Sequence, residues 1–287
     1  MSSNSPVLVF LNGQFVSEEH AVVSVFDRGF LYGDGVFETL RILGGKPFRW
    51  DQHLQRFEKG AGFLRITCPF RSEVLRDFAN RLIAENQMPD SLLRLTLSRG
   101  LGVRGYSPKG AERPTLVMTL HQEPPVDPKR LAGWHLISST VRLPANEPLS
   151  QFKTCNKLPQ IVARAEADVL KADEALLSNT DGCVVEGSTS NLFWLERKLV
   201  CTPALTAGVL PGVTRSVIFE ICRAMGLAVC EASAMVDDLR QKSAIFVSLS
   251  SAGIAEGLSL NGKPLARSPL VSAINHHYWN LVQAETV

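Results

Sequence analysis

Residues 121–129 read His-Gln-Glu-Pro-Pro-Val-Asp-Pro-Lys, and a proline run of that density excludes a helix or an inner strand there. The break divides the 287 residues into two stretches, each long enough to bury a core of its own. The expected organisation is a smaller domain at residues 1–121, a linker at 122–133 and a larger domain at 134–287.

Strand and helix signals alternate along both stretches. Val7-Leu8-Val9-Phe10-Leu11 is an apolar run closed by Asn12-Gly13, a hairpin signal, with a second strand expected at 14–17. A strand is expected at 36–43. A helix should open at Trp50-Asp51 with Leu54, Phe57 and Ala61 on one face, and another should cover 71–88. Strands at 93–97 and 115–120 flank a Gly/Arg-rich insert at 99–108. Beyond the prolines, the pattern predicts a strand at 134–143, a helix at 159–171, and a hairpin of 175–179 with 183–186 across Asp181-Gly182. A strand pair follows within 191–201, then a helix at 211–225 stopped by Gly226. A strand at 228–230, a short helix at 235–241 and a strand at 244–248 complete the set. The fold class expected is α/β in two domains.

A net charge of +2 gives no general field for nucleic acid or an anionic membrane, so any anion site has to be local. The N-terminus lacks a basic flank followed by a long apolar core, and no apolar run is long enough to span a bilayer. The cytoplasm is the expected compartment. The six cysteines form no CxxC pair and read as small buried hydrophobes rather than nucleophiles. The histidines show no metal spacing, and His276-His277 is expected at the surface.

Two segments carry the chemistry. Residues 152–159 read Phe-Lys-Thr-Cys-Asn-Lys-Leu-Pro, and residues 181–194 read Asp-Gly-Cys-Val-Val-Glu-Gly-Ser-Thr-Ser-Asn-Leu-Phe-Trp. An isolated lysine is ordinarily a solvated charge, and an acid at a strand end ordinarily faces water. Here Lys153 follows an apolar residue just before a proline-opened helix, and Glu186 ends a short apolar strand. A lysine that bonds the cofactor aldehyde and a carboxylate facing the pyridine nitrogen are what a pyridoxal-phosphate site requires. This sequence is similar to the class IV aminotransferase family of fold-type IV pyridoxal-phosphate enzymes, from Leu11-Asn12-Gly13 to Asn261-Gly262-Lys263-Pro264.

The resemblance implies a role for each matching residue. Lys153 is the catalytic lysine that holds pyridoxal 5'-phosphate and moves the substrate proton; an amine in a partly desolvated site is both nucleophile and base. Glu186 pairs with the ring nitrogen, Gly187 lets the backbone approach the ring, and the Ser188-Thr189-Ser190-Asn191 run supplies polar groups for the cofactor edge. In Leu210-Pro211-Gly212-Val213-Thr214-Arg215 a helix opens with free N–H groups, a natural phosphate cradle. Val213 and Thr214 are its contacts by resemblance. Arg56 matches the family's phosphate-binding arginine, and Leu249 and Ser250 fall at its second phosphate contact. Gly33-Asp34-Gly35-Val36-Phe37-Glu38-Thr39 resembles a shared signature that covers the site. Whether Glu38 or Thr39 faces the substrate is left open.

The insert bears on substrate class. Ser98-Arg99-Gly100-Leu101-Gly102-Val103-Arg104-Gly105-Tyr106-Ser107 resembles the aminodeoxychorismate lyase branch, with Arg104 and Tyr106 as substrate-binding residues. D-amino acid transaminases carry histidine where Tyr106 stands. Asn156-Lys157-Leu158 resembles the lyases' Asn-Arg-Leu, whereas branched-chain enzymes carry Gly-Asn-Tyr. Arg104 offers a planar fork for a carboxylate. The expected activity is therefore 4-amino-4-deoxychorismate lyase, releasing pyruvate and p-aminobenzoate. The alternatives are a transaminase of D- or branched-chain amino acids and a cofactor-binding regulatory protein with a vestigial site. An RNA-binding reading of the Arg/Gly/Tyr insert lacks repeats and supporting charge. The resemblance further implies a site between two domains, and a homodimer in which the Arg104 loop reaches the partner's site.

Overall fold

The computed structural model describes residues 7–123, 127 and 130–286. Their contacts fall into two units. The first holds residues 7–123, Phe152–Asn156 and 283–286; the second holds 127, 130–151 and 157–282.

In the first unit, β1 (Leu8–Leu11) and β2 (Gln14–Ser17) form the hairpin expected at Asn12-Gly13. A short helix α1 (Arg28–Tyr32) follows, opened by the Asp27 carboxylate accepting the Gly29 N–H. Then come β3 (Gly35–Leu43), β4 (Lys46–Pro47), α2 (Trp50–Leu64), α3 (Ser72–Asn86), β5 (Ser91–Ser98) and β6 (Thr115–Gln122). The strands form an antiparallel sheet ordered β2-β1-β6-β5-β3-β4. Strand alternation sorts its faces. Val36, Leu40 and Ile42 of β3, with Leu93, Leu95 and Leu97 of β5, pack against Leu54, Phe57 and Ala61 of α2 and Leu75, Leu82 and Ile83 of α3. Phe37, Thr39, Arg94 and Thr96 therefore belong to the opposite face.

Segment Phe152–Asn156 groups with this unit rather than with the larger domain expected from 134 onward. The reason is backbone hydrogen bonding. β4 covers β3 only at Ile42 and Leu43, which leaves polar backbone groups at the other end of that edge to be satisfied. Residues 153–155 take the vacancy. The Phe37 N–H donates to the Lys153 carbonyl and the Cys155 N–H to the Gly35 carbonyl, each at 2.9 Å, and Val36 bridges Thr154.

The second unit runs β7 (Ala132–Leu143), α4 (Leu158–Val169), β8 (Glu174–Asn179), β9 (Val184–Gly187), β10 (Asn191–Glu196), β11 (Leu199–Thr202), α5 (Val213–Ala224), β12 (Val229–Glu231), α6 (Val236–Leu239), β13 (Ala244–Leu249), β14 (Gly253–Leu260), β15 (Lys263–Pro264) and α7 (Pro269–Thr286). Its sheet is ordered β12-β11-β10-β13-β14-β7-β8-β9, and β9 pairs back onto β10 at Glu186 and Asn191. That last pairing closes β10-β13-β14-β7-β8-β9 into a ring, which removes two open edges. α1, β4, β14, β15 and α7 have no counterpart among the expected elements. β6 and β7 encroach on both ends of the expected linker, while Pro124, Pro125 and Pro128 lie outside the described residues. His276 and His277 are exposed, as expected.

Candidate active site

Lys153 lies over Phe37. Its Nζ is 4.7 Å from the centre of the Phe37 ring, and the guanidinium carbon of Arg94 is 3.9 Å from that same centre. One aromatic ring thus carries two cations, an arrangement its negative face tolerates. Burial lowers the pKa of Arg94 from its ordinary value. Arg94 has no carboxylate partner among the described residues. It was not among the expected site residues, although a lone charge inside Leu92-Leu93-Arg94-Leu95 was a signal for one.

Arg56 projects from α2 onto Glu38. Its Nε donates to Oε1 and its Nη2 to Oε2 of Glu38, both at 2.7 Å, a bidentate pair that fixes the guanidinium plane. His53 adds a third bond, Nδ1 to Oε2 at 2.8 Å. An ionised carboxylate only accepts, so Nδ1 carries the proton. Burial works against the charge on Glu38, but Arg56 and His53 outweigh it and draw the pKa down to about 2. Desolvation, reinforced by the charges of Arg56 and Lys153, lowers the pKa of His53 and keeps the ring neutral. Glu38 is thus committed to α2, and Thr39 shares the Phe37 face.

In the second unit, register does the positioning. Glu186 pairs Asn191, and Asn191 pairs Ser248, so three strands set these residues in one row. The Leu210 N–H donates to Glu186 Oε2 at 3.0 Å, and the Asn191 side chain donates to the Leu210 carbonyl at 2.9 Å. Segment 210–212 is thereby tied to the strand that carries Glu186, and it leads directly into α5. Gly212 is the residue before that helix, and a Cβ there would collide with Asn191 Oδ1. Val213 and Thr214 occupy the first two helical positions, both buried, where backbone N–H groups have no partner within the helix. Leu249 ends β13 and Ser250 opens the turn into β14, directly after Ser248 of the row. Glu186, Val213, Thr214, Leu249 and Ser250 thus gather around one end of the strands.

The hydroxyls expected at the cofactor edge are used elsewhere. Glu174 at the start of β8 is fully buried, and its Oε1 accepts from the Ser188 hydroxyl and, at 3.0 Å, from the Ser188 N–H. Its Oε2 accepts from the Thr189 and Ser190 hydroxyls, each at 2.8 Å. A carboxylate taken out of water requires such donors. Ser188, Thr189 and Ser190 therefore shape the turn after Glu186 rather than offering their side chains outward. Nothing in the spacing reveals that Glu174 is their partner.

Arg104 and Tyr106 are exposed on the loop between β5 and β6. Their side chains are available, while the loop backbone is pinned to α1 as described below.

Residues 35–260 match the family model of amino-transferase class IV. The chain belongs to the class IV aminotransferase family. A Methanocaldococcus jannaschii protein provisionally assigned as a branched-chain-amino-acid aminotransferase is 32% identical over 256 residues, 89% of this chain and 88% of its own. The aminodeoxychorismate lyase of Bacillus subtilis is also 32% identical, over 223 residues, 77% of this chain and 75% of its own. Among solved structures, the branched-chain aminotransferase of the archaeon Thermoproteus uzoniensis with norvaline superimposes with a TM-score of 0.90 at 25% identity, covering 98% of this chain and 96% of that one. The fold is that of the fold-type IV enzymes, and pyridoxal phosphate is the family's cofactor. The residues present fit that group. They offer an amine on an aromatic ring, a buried carboxylate with one oxygen held by a backbone N–H, and a helix N-terminus entered through a glycine that admits no side chain. Among the described residues no cluster suits a metal ion, and no helix is long and apolar enough to cross a membrane.

Proposed function

We propose that the protein is a 4-amino-4-deoxychorismate lyase. The observation that carries this reading is the Ser98–Ser107 run, with Tyr106 where D-amino acid transaminases have histidine. Arg94 supports it, because the lyase substrate carries two carboxylates and Arg94, a partly buried cation on the Phe37 ring that also carries Lys153, is suited to take the one that Arg104 does not. In a homodimer, each site would take Arg94 from its own chain and Arg104 from the partner.

Lys153 would hold the cofactor, and Glu186, with Oε2 steadied by Leu210, would keep the ring nitrogen protonated. Val213, Thr214, Leu249 and Ser250 would hold the phosphate, with Arg56, oriented by Glu38, adding positive charge. Bound there, pyridoxal phosphate supplies an electron sink for charge developing at the amine-bearing carbon. With the cofactor bound, the free amine of Lys153 would take the proton from that carbon. The carbon–oxygen bond then breaks, enolpyruvate leaves and becomes pyruvate, and the remaining ring is aromatic p-aminobenzoate. No keto acid takes part.

The test mixes the yellow purified enzyme with enzymatically generated aminodeoxychorismate, without keto acid, and follows p-aminobenzoate fluorescence and pyruvate. Multiple turnovers are expected from the wild type and none from Lys153→Ala, which should also lose the visible cofactor band. A second reading, a transaminase of D- or branched-chain amino acids, draws support from the relative assigned to branched-chain substrates. It predicts no p-aminobenzoate and bleaching of the cofactor by an amino acid alone.

A further inference from the structure

Arg28, the first residue of α1, is 4% exposed and turns both terminal nitrogens of its guanidinium to backbone. Nη1 donates to the carbonyls of Gly105 at 2.8 Å and Ser107 at 3.2 Å, and Nη2 donates to the Tyr106 carbonyl at 3.1 Å. Three successive carbonyls converge on one planar fork. Gly102 makes room for the stem, since a Cβ there would stand 2.8 Å from Arg28 Cδ. Tyr32, one turn further along α1, accepts the Gly105 N–H with its hydroxyl at 3.2 Å and meets the Tyr106 ring edge-on at 5.6 Å. Both polar groups of the Gly105 peptide are thus held by α1.

The anchor is itself anchored. Arg28 Nε donates to Asp34 Oδ2 at 2.8 Å, and Arg99 reaches the same carboxylate with Nε at 2.7 Å and Nη2 at 3.1 Å. Arg99 also donates to the carbonyls of Leu64 at 2.7 Å and Arg65 at 3.2 Å, at the end of α2. Burial opposes the charge on Asp34, and the two arginines overcome it and hold its pKa below the ordinary value. The Gly33-Asp34-Gly35 signature therefore bears a mechanical load between α2, α1 and the loop.

We propose that Arg28 is a positioning residue, which locks the Gly105–Ser107 backbone in one shape so that the neighbouring exposed Arg104 is presented ready to take a substrate carboxylate. This rests on the role given to Arg104 above. A loop ordered in advance loses little entropy when substrate binds, whereas a free one has to be ordered at that moment. Lysine cannot substitute, because a single ammonium has neither the span nor the planar fork to reach three carbonyls and Asp34 together.

Arg28→Lys in the holoenzyme tests the proposal by hydrogen exchange and steady-state kinetics. Exchange across residues 102–107 should quicken about tenfold, with KM up about tenfold and kcat within about twofold, the signature of an ordering cost shifted onto binding. Amides of β3 and β5 should be unchanged. Tyr32→Phe removes only the acceptor for the Gly105 N–H and should quicken exchange at Gly105, which keeps the test decisive should the lysine variant not fold. Exchange at wild-type rates in Tyr32→Phe and in any folded Arg28→Lys, or a fall in kcat with KM unmoved, would overturn the proposal. A wild type inert towards every substrate would sink the functional reading instead, with the exchange result still deciding the clamp.

Discussion

At the scale of single residues, Glu38 shows how a buried charge is made stable and what that implies for pH. Its carboxylate accepts three hydrogen bonds from two partners, Arg56 and His53, and its pKa is drawn from 4.5 to about 2. A group depressed in the folded state contributes stability above its unfolded pKa, and the contribution is lost as the pH falls from 4.5 towards 2. His53 acts with the same sign. Its folded pKa lies below 6.5, so on acidification the unfolded chain binds this proton first. Urea midpoints should therefore decline modestly as the pH falls below 6.5 and steeply below 4.5. Glu38→Gln should shrink the steep limb, to which Asp34 also contributes, and cost roughly 3 kcal/mol at pH 7, the free-energy equivalent of the shift. Parallel pH profiles for the variant and the wild type would refute this account of Glu38. The sequence made Glu38 visible as a member of a signature, but not its direction. Direction follows from register against β5, which a single strand does not disclose.

At the scale of elements, the turn from β9 to β10 and the entry to α5 depend on contacts across the chain. Glu174→Gln would place amide donors among groups that all donate already, leaving buried N–H and O–H groups unpaired. We expect a loss of about 2–4 kcal/mol by denaturant titration, with weakened cofactor affinity as the turn beside Glu186 loosens. An unchanged midpoint would mean that the hydroxyls hold the turn without it. Gly212→Ala should push Asn191 away and lower affinity for pyridoxal phosphate more than for pyridoxal, which lacks the phosphate; equal losses for both would separate Gly212 from phosphate binding. Both effects were out of reach of linear spacing, since Glu174 lies 14 residues from Ser188 and Asn191 contacts the 210–212 segment only through folding. By contrast α7, absent from the expected elements, has a spacing that could have shown it. Val271, Ile274, Asn275, Tyr278, Trp279 and Val282 are buried at helical spacing, but no chemical motif draws attention to that stripe. β14 was harder to see, because buried Glu256 interrupts its apolar run and finds Arg267 as its partner at 2.8 Å.

At the scale of the whole molecule, the expected homodimer makes a complementation prediction. If Arg104 serves the partner's site, mixing inactive Lys153→Ala chains with Arg104→Ala chains creates dimers with one intact site, which carries both Lys153 and a partner's Arg104. Activity should return to about a quarter of the wild-type level after random exchange of subunits. No recovery, with exchange confirmed by native mass spectrometry, would assign Arg104 to its own chain's site. The α/β class, most element positions and the candidate lysine and glutamate could be read from periodicity and motif. The allocation of Lys153 to the first unit could not, because it depends on a three-residue backbone pairing with Gly35 and Phe37.

That pairing also governs how the gene for this protein can be cut. The chain leaves the first unit after residue 123, comes back for Phe152–Asn156, and comes back once more at 283. A recombination junction at the proline run would send the lysine codon to one parent and the strand it folds against to the other. Chimaeras built from two relatives at that junction would have to match not at the seam but at Gly35–Phe37, more than a hundred positions upstream of the lysine they receive.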